Sequence, residues 1–178
     1  MKPRLNVGCG RYPLLGWMNL DSSSEALADV YQSATPLQFP DEWFSEIFAG
    51  HFLEHLTRED GLQFLKDAYR CLEPGGKLGI VVPDTKAVMC AWLNRIGRTV
   101  EYPEGVFNAI DDLDAVCHLF LYSTAQESNH LWSYDRDTLA RILTEAGFRV
   151  TKEIDRMSDP RITVGAWYQV GLEAVKEC

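Results

Sequence analysis

Short apolar runs recur along the first half of the chain and alternate with loops or helix-like segments. The five runs span residues 4–7, 17–20, 28–31, 45–49 and 77–82. This alternation is typical of an α/β domain built on a mostly parallel sheet. The pattern therefore predicts five strands of one sheet.

A clear amphipathic helix lies between the fourth and fifth runs. Thr57 is a suitable N-cap, and Asp60 stands three residues later, as in a capping box. The apolar residues of the predicted buried face recur at helical spacing, at Leu62, Leu65, Tyr69 and Leu72. The Pro-Gly-Gly of residues 74–76 is expected to end the helix, and the chain re-enters the sheet at Lys77.

The pattern changes between residues 85 and 134, where no strand signal is present. We interpret this stretch as a mainly helical cap insertion within a single domain of residues 1–178. A helix over 135–148 and two apolar runs, 148–154 and 166–177, close the chain. These two runs have too few residues between them for a crossover helix, so they pair as antiparallel neighbours or across another strand.

The loop after the first run carries Gly8 and Gly10, and the second run ends on Asp21. Glycine takes positive φ readily and has no Cβ, so a ligand can approach such a backbone closely. An acid at the end of the second strand is suited to accept hydrogen bonds from both hydroxyls of a ribose. Together, the loop and the acid indicate a nucleoside-binding site.

Spacing decides which nucleoside ligand fits this loop. A dinucleotide fingerprint needs GxGxxG at the start of a helix, so that the helix N-terminus binds the pyrophosphate. Here the third glycine position is Pro13, and only ten residues separate Gly10 from Asp21, about half the usual separation. The crossover helix is therefore predicted to be missing or reduced to a turn. A ligand with ribose and adenine but no phosphate fits better, which favours S-adenosylmethionine and disfavours a dinucleotide oxidoreductase.

The amino-acid composition restricts the possible binding partners and the cellular compartment of the protein. The 178 residues carry a net charge of −9, which disfavours nucleic acid because its binding depends on Lys and Arg contacts to phosphate. No signal-peptide core and no stretch of about eighteen apolar residues is present, so no membrane association is expected. Five scattered cysteines without a CxxC pair are typical of reduced thiols. These features predict a cytoplasmic protein and leave its oligomeric state open.

Five segments, in order, make the chain similar to class I S-adenosylmethionine-dependent methyltransferases, especially small bacterial ones whose glycine loop runs almost directly into a GWxNxD strand. The segments are LNVGCG, GWMNLD, LQFPDEWFSEIFAGHFLEHL, LEPGGKLGIVVPD, and SYDRDTLARILTEAGF followed by VGLEAVKE. The resemblance implies a Rossmann-like seven-stranded sheet of five parallel strands and an antiparallel C-terminal hairpin, with helices on both faces. It also implies methyl transfer from S-adenosylmethionine to a small-molecule acceptor.

The resemblance assigns cofactor contacts near the amino terminus. It places the methionyl moiety against the backbone of Gly8, Cys9 and Gly10, the ribose on Asp21, and the adenine beside Ser22.

Further contacts follow the third and fourth strands. Ser33 stands where related sequences usually carry an Asp that accepts from the adenine amino group, and Ala34 offers its backbone N–H there. Gly50 and His51 are expected to line the cofactor near the sulfonium. Because Ser33 departs from the pattern and the crossover is short, a non-catalytic S-adenosylmethionine-binding protein of the same fold is the alternative function.

His51, Glu54 and His55 form an HxxEH pattern, which is also an inverted zinc-peptidase motif. A peptidase needs this pattern in mid-helix and a third ligand downstream, whereas here Gly50 and a strand precede it directly. We therefore expect no metal site. Two interpretations remain: His55 is a structural, hydrogen-bonded residue, or Glu54 or His55 is the general base that takes a hydroxyl proton from the acceptor.

Two residues at the end of the cap also have two interpretations. Tyr134, with Trp132, suits packing at the entry to the next helix. Alternatively, His130 and Tyr134 bind the acceptor and close the site from above.

Overall fold

A seven-stranded sheet organises the computed structural model of the chain, which describes residues 2–94, 99–102, 105–108, 130–154 and 168–177. Its strands are β1 (Arg4–Val7), β2 (Met18–Asp21), β3 (Val30–Tyr31), β4 (Phe44–Gly50), β5 (Leu72–Pro83), β8 (Phe148–Glu153) and β9 (Gln169–Lys176). They lie side by side in the order β3-β2-β1-β4-β5-β9-β8. Strands β1 to β5 are parallel, whereas β9 is antiparallel to both β5 and β8. The predicted Rossmann-like sheet is confirmed.

Helix α1 (Arg58–Cys71) joins β4 to β5 and follows a single 3-10 turn at Leu53–His55. Thr57 is its N-cap, and the hydroxyl oxygen of Thr57 accepts a hydrogen bond from Asp60 N at 3.1 Å. This bond satisfies one of the backbone N–H groups that a helix start leaves unpaired. The predicted start of the helix is confirmed.

The end of α1 differs from the prediction. The helix was expected to continue to residues 74–76, but Leu72 is already extended and pairs with Phe44 of β4. Pro74 disfavours helical backbone at the residue before it, Glu73, so the chain leaves the helix ahead of the glycines.

One apolar core fills the space between the sheet and two helices, α1 and α3 (Arg136–Glu145). Its fully buried side chains include Phe64, Leu65, Leu139, Leu143, Ile47, Leu78 and Ile80. Full burial of one such side chain contributes roughly 1.5–3 kcal/mol of hydrophobic free energy. This packing fixes α1, and the turn before it, against the sheet. Among the helices of the described residues, none is long and apolar enough to cross a bilayer.

Residues 8–17 cross from β1 to β2 as loop and turn, without a helix. The predicted loss of the crossover helix is confirmed. In its place, Leu14 and Trp17 pack against Phe48 and Val81 on the second face of the sheet.

The cap predicted at residues 85–134 contains both a helix and strands. Helix α2 spans Thr85–Leu93, and β6 (Thr99–Tyr102) pairs antiparallel with β7 (Gly105–Asn108). The expectation of no strand in this stretch is therefore wrong, since strands of four residues are too short for their alternation to stand out in a sequence. Residues 109–129 lie outside the described part of the chain, and a mainly helical cap within a single domain stays a prediction.

Candidate functional site

The carboxylate of Asp21 ties the glycine loop to the end of β2. Gly10 N donates to Asp21 Oδ2 at 2.8 Å, and Ser23 N donates to Asp21 Oδ1 at 2.9 Å. The side chain is half-buried, and each oxygen accepts one backbone N–H, which leaves further lone pairs for hydroxyl donors. Asp21 is thus held in position at the carboxyl edge of the sheet.

The two glycines of the loop have different surroundings, although both take positive φ, 66° at Gly8 and 52° at Gly10. An ideal Cβ on Gly8 would lie 2.6 Å from Phe52 Cδ2, so the Phe52 ring occupies the space that a side chain would need. An ideal Cβ on Gly10 would meet no described atom within 4 Å. Cys9, between them, is fully buried. The open side of Gly10 is therefore where a ligand can approach the backbone.

Asn19 fixes this loop, a role that its place in the sequence did not indicate. Its Oδ1 accepts from Leu14 N at 2.7 Å, and its Nδ2 donates to Trp17 O at 3.1 Å and to Asp29 Oδ2 at 2.9 Å. Hydrogen bonds from the backbone and then the side chain of Asn19 lower the pKa of Asp29. The Asn19 side chain thus hydrogen-bonds backbone groups of the loop. In a crossover helix, such groups would bond to one another.

On the predicted adenine side, Ser22 is exposed and Ala34 is buried. The Ser33 hydroxyl donates to Thr35 O at 3.0 Å and accepts from Thr35 N at 3.1 Å. Ser33, which stands in place of the usual Asp, therefore makes its side-chain hydrogen bonds within its own loop. Adenine contacts at these positions stay predictions.

His51 leaves β4 in the left-handed region, with φ 51°, directly after the buried Gly50. Gln169 Nε2 lies 2.8 Å from His51 Nε2, and His51 Nδ1 lies 3.3 Å from Glu54 Oε1. With the amide donating, the imidazole proton sits on Nδ1 and faces the carboxylate. The sequence carried no signal for Gln169, because its position depends on β9 lying beside β5, where Gln169 pairs with Pro83.

Glu54, His55 and His130 form a compact cluster behind His51. Glu54 is 2% exposed, and within the described residues neither of its carboxylate oxygens has a hydrogen-bond partner, nor does His55 Nδ1. The rings of His55 and His130 meet edge to face at 4.8 Å between centroids. Leu131 N and Trp132 N both donate to Glu54 O, at 2.8 and 3.2 Å, which holds His130 beside the turn. The structure therefore brings both predicted catalytic residues together with one of the predicted acceptor residues.

The electrostatics of the cluster keep Glu54 ionised. Burial alone would raise the pKa of Glu54, but its contact with His51 and the charges of His51, His55 and His130 outweigh burial and lower the pKa to about 2. A carboxylate with so low a pKa is a weak proton acceptor at neutral pH. The Glu54 carboxylate is therefore better suited to stabilise a cation than to accept a proton.

Tyr134, the other predicted acceptor residue, is 3% exposed and lines the same pocket as Glu54 and His130. Burial, reinforced by the charge of Glu54, raises the pKa of the Tyr134 hydroxyl above its ordinary value, so the phenol stays protonated. A narrow pocket opens at this point, lined by Glu54, Pro83, Thr85, His130, Trp132, Ser133 and Tyr134.

The glycine loop and the cluster stand at the same edge of the sheet, because they follow the neighbouring parallel strands β1 and β4. The loop offers an open glycine backbone and a fixed acid, and no helix begins at it to bind phosphate. These features fit a phosphate-free nucleoside such as S-adenosylmethionine. The cluster supplies polar groups directly beside that position.

Comparisons with known proteins agree with this geometry. A family model described as a methyltransferase domain matches residues 5–153. A solved S-adenosylmethionine-dependent methyltransferase of Thermotoga maritima is 15% identical with a TM-score of 0.62, over 99% of this chain and 83% of that chain. One of Methanosarcina mazei is 17% identical with a TM-score of 0.60, over 98% and 92% of the two chains. One of Mesorhizobium loti is 14% identical with a TM-score of 0.58, over 97% and 90%.

No protein of curated function matches the chain. At these identities the solved structures show the fold alone, whereas the family match covers most of the 178 residues. The chain therefore belongs to the methyltransferase domain family, and its cofactor is S-adenosylmethionine.

Proposed function

We propose that this chain transfers the methyl group of S-adenosylmethionine to a small-molecule acceptor at the carboxyl edge of its sheet. The observation that carries the proposal is the packing of Phe52 against Gly8, which sets the glycine loop beside the turn that bears His51, Glu54 and His55. The cofactor supplies an electrophilic methyl carbon, to which an acceptor lone pair forms a bond as the carbon–sulfur bond breaks, leaving S-adenosylhomocysteine.

The cofactor is held by the loops after β1 to β4. The backbone of Gly8, Cys9 and Gly10 receives the methionyl moiety, and Asp21 accepts from the ribose hydroxyls. The open side of Gly10 and the fixed carboxylate of Asp21 support these two contacts. Positioning of this kind can supply most of the rate enhancement of a methyl transfer.

The other predicted cofactor contacts complete the same edge of the sheet. Ser22, Ser33 and Ala34 lie on the adenine side, while Gly50 and His51 lie near the sulfonium.

The acceptor binds beside Glu54, His55 and His130, with Tyr134 as a hydrogen-bond donor. Because Glu54 remains ionised, it stabilises positive charge in the cluster and is not itself the proton acceptor. The cluster binds the polar atom of the acceptor and receives its proton where that atom carries one. The net charge of −9 favours a neutral or cationic molecule over nucleic acid.

The alternative is a non-catalytic S-adenosylmethionine-binding protein, which the internal hydrogen bonds of Ser33 support. The test measures S-adenosylhomocysteine binding by calorimetry and then methyl transfer from labelled S-adenosylmethionine to a panel of small hydroxyl, amine and thiol acceptors. We expect His55→Ala to keep the affinity for S-adenosylhomocysteine and to lose transfer, while Glu59→Gln, an exposed change in the same segment, keeps both. Binding without transfer across the panel favours the alternative, and no binding at all contradicts both.

A further inference from the structure

The carboxylate of Glu54 lacks the partners that a buried charge normally has. A buried carboxylate is costly unless it is paired and hydrogen-bonded. Glu54 is 2% exposed, His51 Nδ1 lies 3.3 Å from its Oε1, and both of its oxygens lack a hydrogen-bond partner in the described residues. The site therefore contains a buried anion that a cation would stabilise.

Three possible ligand atoms, one of them from this anion, lie close together here. One from each of Glu54, His55 and His130 lie within 4.8 Å of one another. Metal–nitrogen and metal–oxygen bonds of roughly 2.0–2.2 Å place two ligands of one ion at most about 4.2 Å apart. The most widely separated pair, at up to 4.8 Å, needs to contract by at least about 0.6 Å to reach that geometry, which is 4.8 less 4.2. The imidazoles of His55 and His130 are both half-buried and are the groups that would move.

We propose that Glu54, His55 and His130 bind a divalent first-row transition-metal ion beside the acceptor pocket. One carboxylate and two imidazoles form a donor set that suits such ions better than Mg²⁺ or Ca²⁺, which prefer oxygen. Three protein ligands leave further positions of the ion open toward the pocket. Any role of the ion in holding the acceptor rests on the proposed function, and in the metal-bound chain the ion takes the place of the three side chains as the group that faces the acceptor. This proposal departs from the expectation, drawn from the sequence, that the chain has no metal site.

His51 is excluded from the ligand set by its contacts. Its Nε2 faces Gln169 Nε2 at 2.8 Å, and its Nδ1 faces Glu54 Oε1. An imidazole that faces a ligating carboxylate can orient that ligand, as outer-shell groups commonly do in metal sites. The HxxEH pattern therefore does not act here as a peptidase motif, because the second imidazole ligand is His130 rather than His51.

The test titrates Co²⁺ into the purified chain after chelator treatment and follows the visible absorption of the bound ion, with stoichiometry from equilibrium dialysis. We expect one Co²⁺ per chain, without the strong near-ultraviolet band that thiolate ligands produce. Glu54→Gln and His130→Ala should each weaken binding by about 100-fold or more, since loss of an outer-shell partner alone costs about 10–100-fold. Glu59→Gln, which removes an exposed carboxylate five residues from Glu54, should leave the affinity unchanged.

Absence of stoichiometric Co²⁺, a thiolate spectrum, or equal affinity in all three variants would overturn the metal site. His130→Ala keeps the test decisive if Glu54→Gln does not fold, because His130 is only half-buried and lies outside the helices. Calorimetry with S-adenosylhomocysteine, with and without chelator, separates this outcome from the proposed function. If the chain binds S-adenosylhomocysteine but not Co²⁺, the metal-site proposal is contradicted and the proposed function is not.

Discussion

The ring of Phe52 fills the space beside Gly8 where any other residue would place its Cβ, at 2.6 Å from Phe52 Cδ2. The same ring meets Phe64 of α1 edge to face, with 5.2 Å between centroids. The cofactor loop is therefore packed through one aromatic side chain onto the helix that follows the histidine cluster.

Replacing each loop glycine by alanine should separate packing from backbone strain. Gly8→Ala adds a clash with Phe52 to the strain of positive φ, while Gly10→Ala adds strain alone. Strain at positive φ costs about 1–2 kcal/mol, and overpacking about 1–3 kcal/mol more. We expect urea denaturation of the cofactor-free chain to show the larger loss of unfolding free energy for Gly8→Ala. Equal losses would mean that the Phe52 contact is not a tight one.

Asp21→Ala should weaken S-adenosylhomocysteine binding by about 10- to 100-fold, the scale of lost hydrogen bonds to a charged group. The change removes the ribose acceptor and also the bond from Gly10 N. Asp21→Asn keeps one acceptor oxygen and should retain part of the affinity. Glu25→Gln, an exposed carboxylate of the following loop, is the matched control. Calorimetric affinities of Asp21→Ala equal to wild type would show that the acid does not hold the ribose.

The position of Asp21 was predictable from sequence because it depends only on local features. Apolar runs marked β1 and β2, and glycines marked the turn between them. The contacts of Glu54 were not predictable in the same way. His130 reaches it from a segment 76 residues later, 130 less 54, and Gln169 reaches His51 only because β9 inserts between β5 and β8. Alternation within one strand carries no information about which distant strand lies beside it.

Asn19→Ala should destabilise the chain by about 2–4 kcal/mol, because it leaves the buried Asn6 amide and the half-buried backbone groups of Leu14 and Trp17 without their partner. Asn94→Ala removes an exposed amide at the end of α2 and should cost about 0.5 kcal/mol or less. Urea denaturation of the two variants gives the comparison. Similar small losses in both would mean that solvent replaces Asn19 in holding the loop.

Stability should depend on pH through Asp135, the N-cap of α3. Hydrogen bonds from the side chain and then the backbone of Thr138 lower the pKa of Asp135. Because the pKa is lower in the folded chain, this stabilisation is present above the ordinary value of 3.8 and is lost as the pH falls below it. Asp135→Asn keeps the cap but cannot ionise, so the advantage of wild type over Asp135→Asn should shrink between about pH 5 and pH 3.

Urea denaturation at each pH measures that advantage. Asp137→Asn, an exposed change in the first turn of the same helix, is the control. An advantage of wild type over Asp135→Asn that stays constant across the acid range contradicts the assignment.

The helix-free connection between β1 and β2 also changes how early this half of the sheet can assemble. Ten residues, 8–17, separate Val7 from Met18, whereas parallel neighbours usually need a crossover of about a dozen residues or more. Short sequence separation lowers the entropy cost of loop closure and favours early pairing. Pro83 and its partner Gln169, by contrast, are 86 residues apart, 169 less 83. During translation, the strands that carry the cofactor loop are therefore able to pair long before the strand that supplies Gln169 has been made.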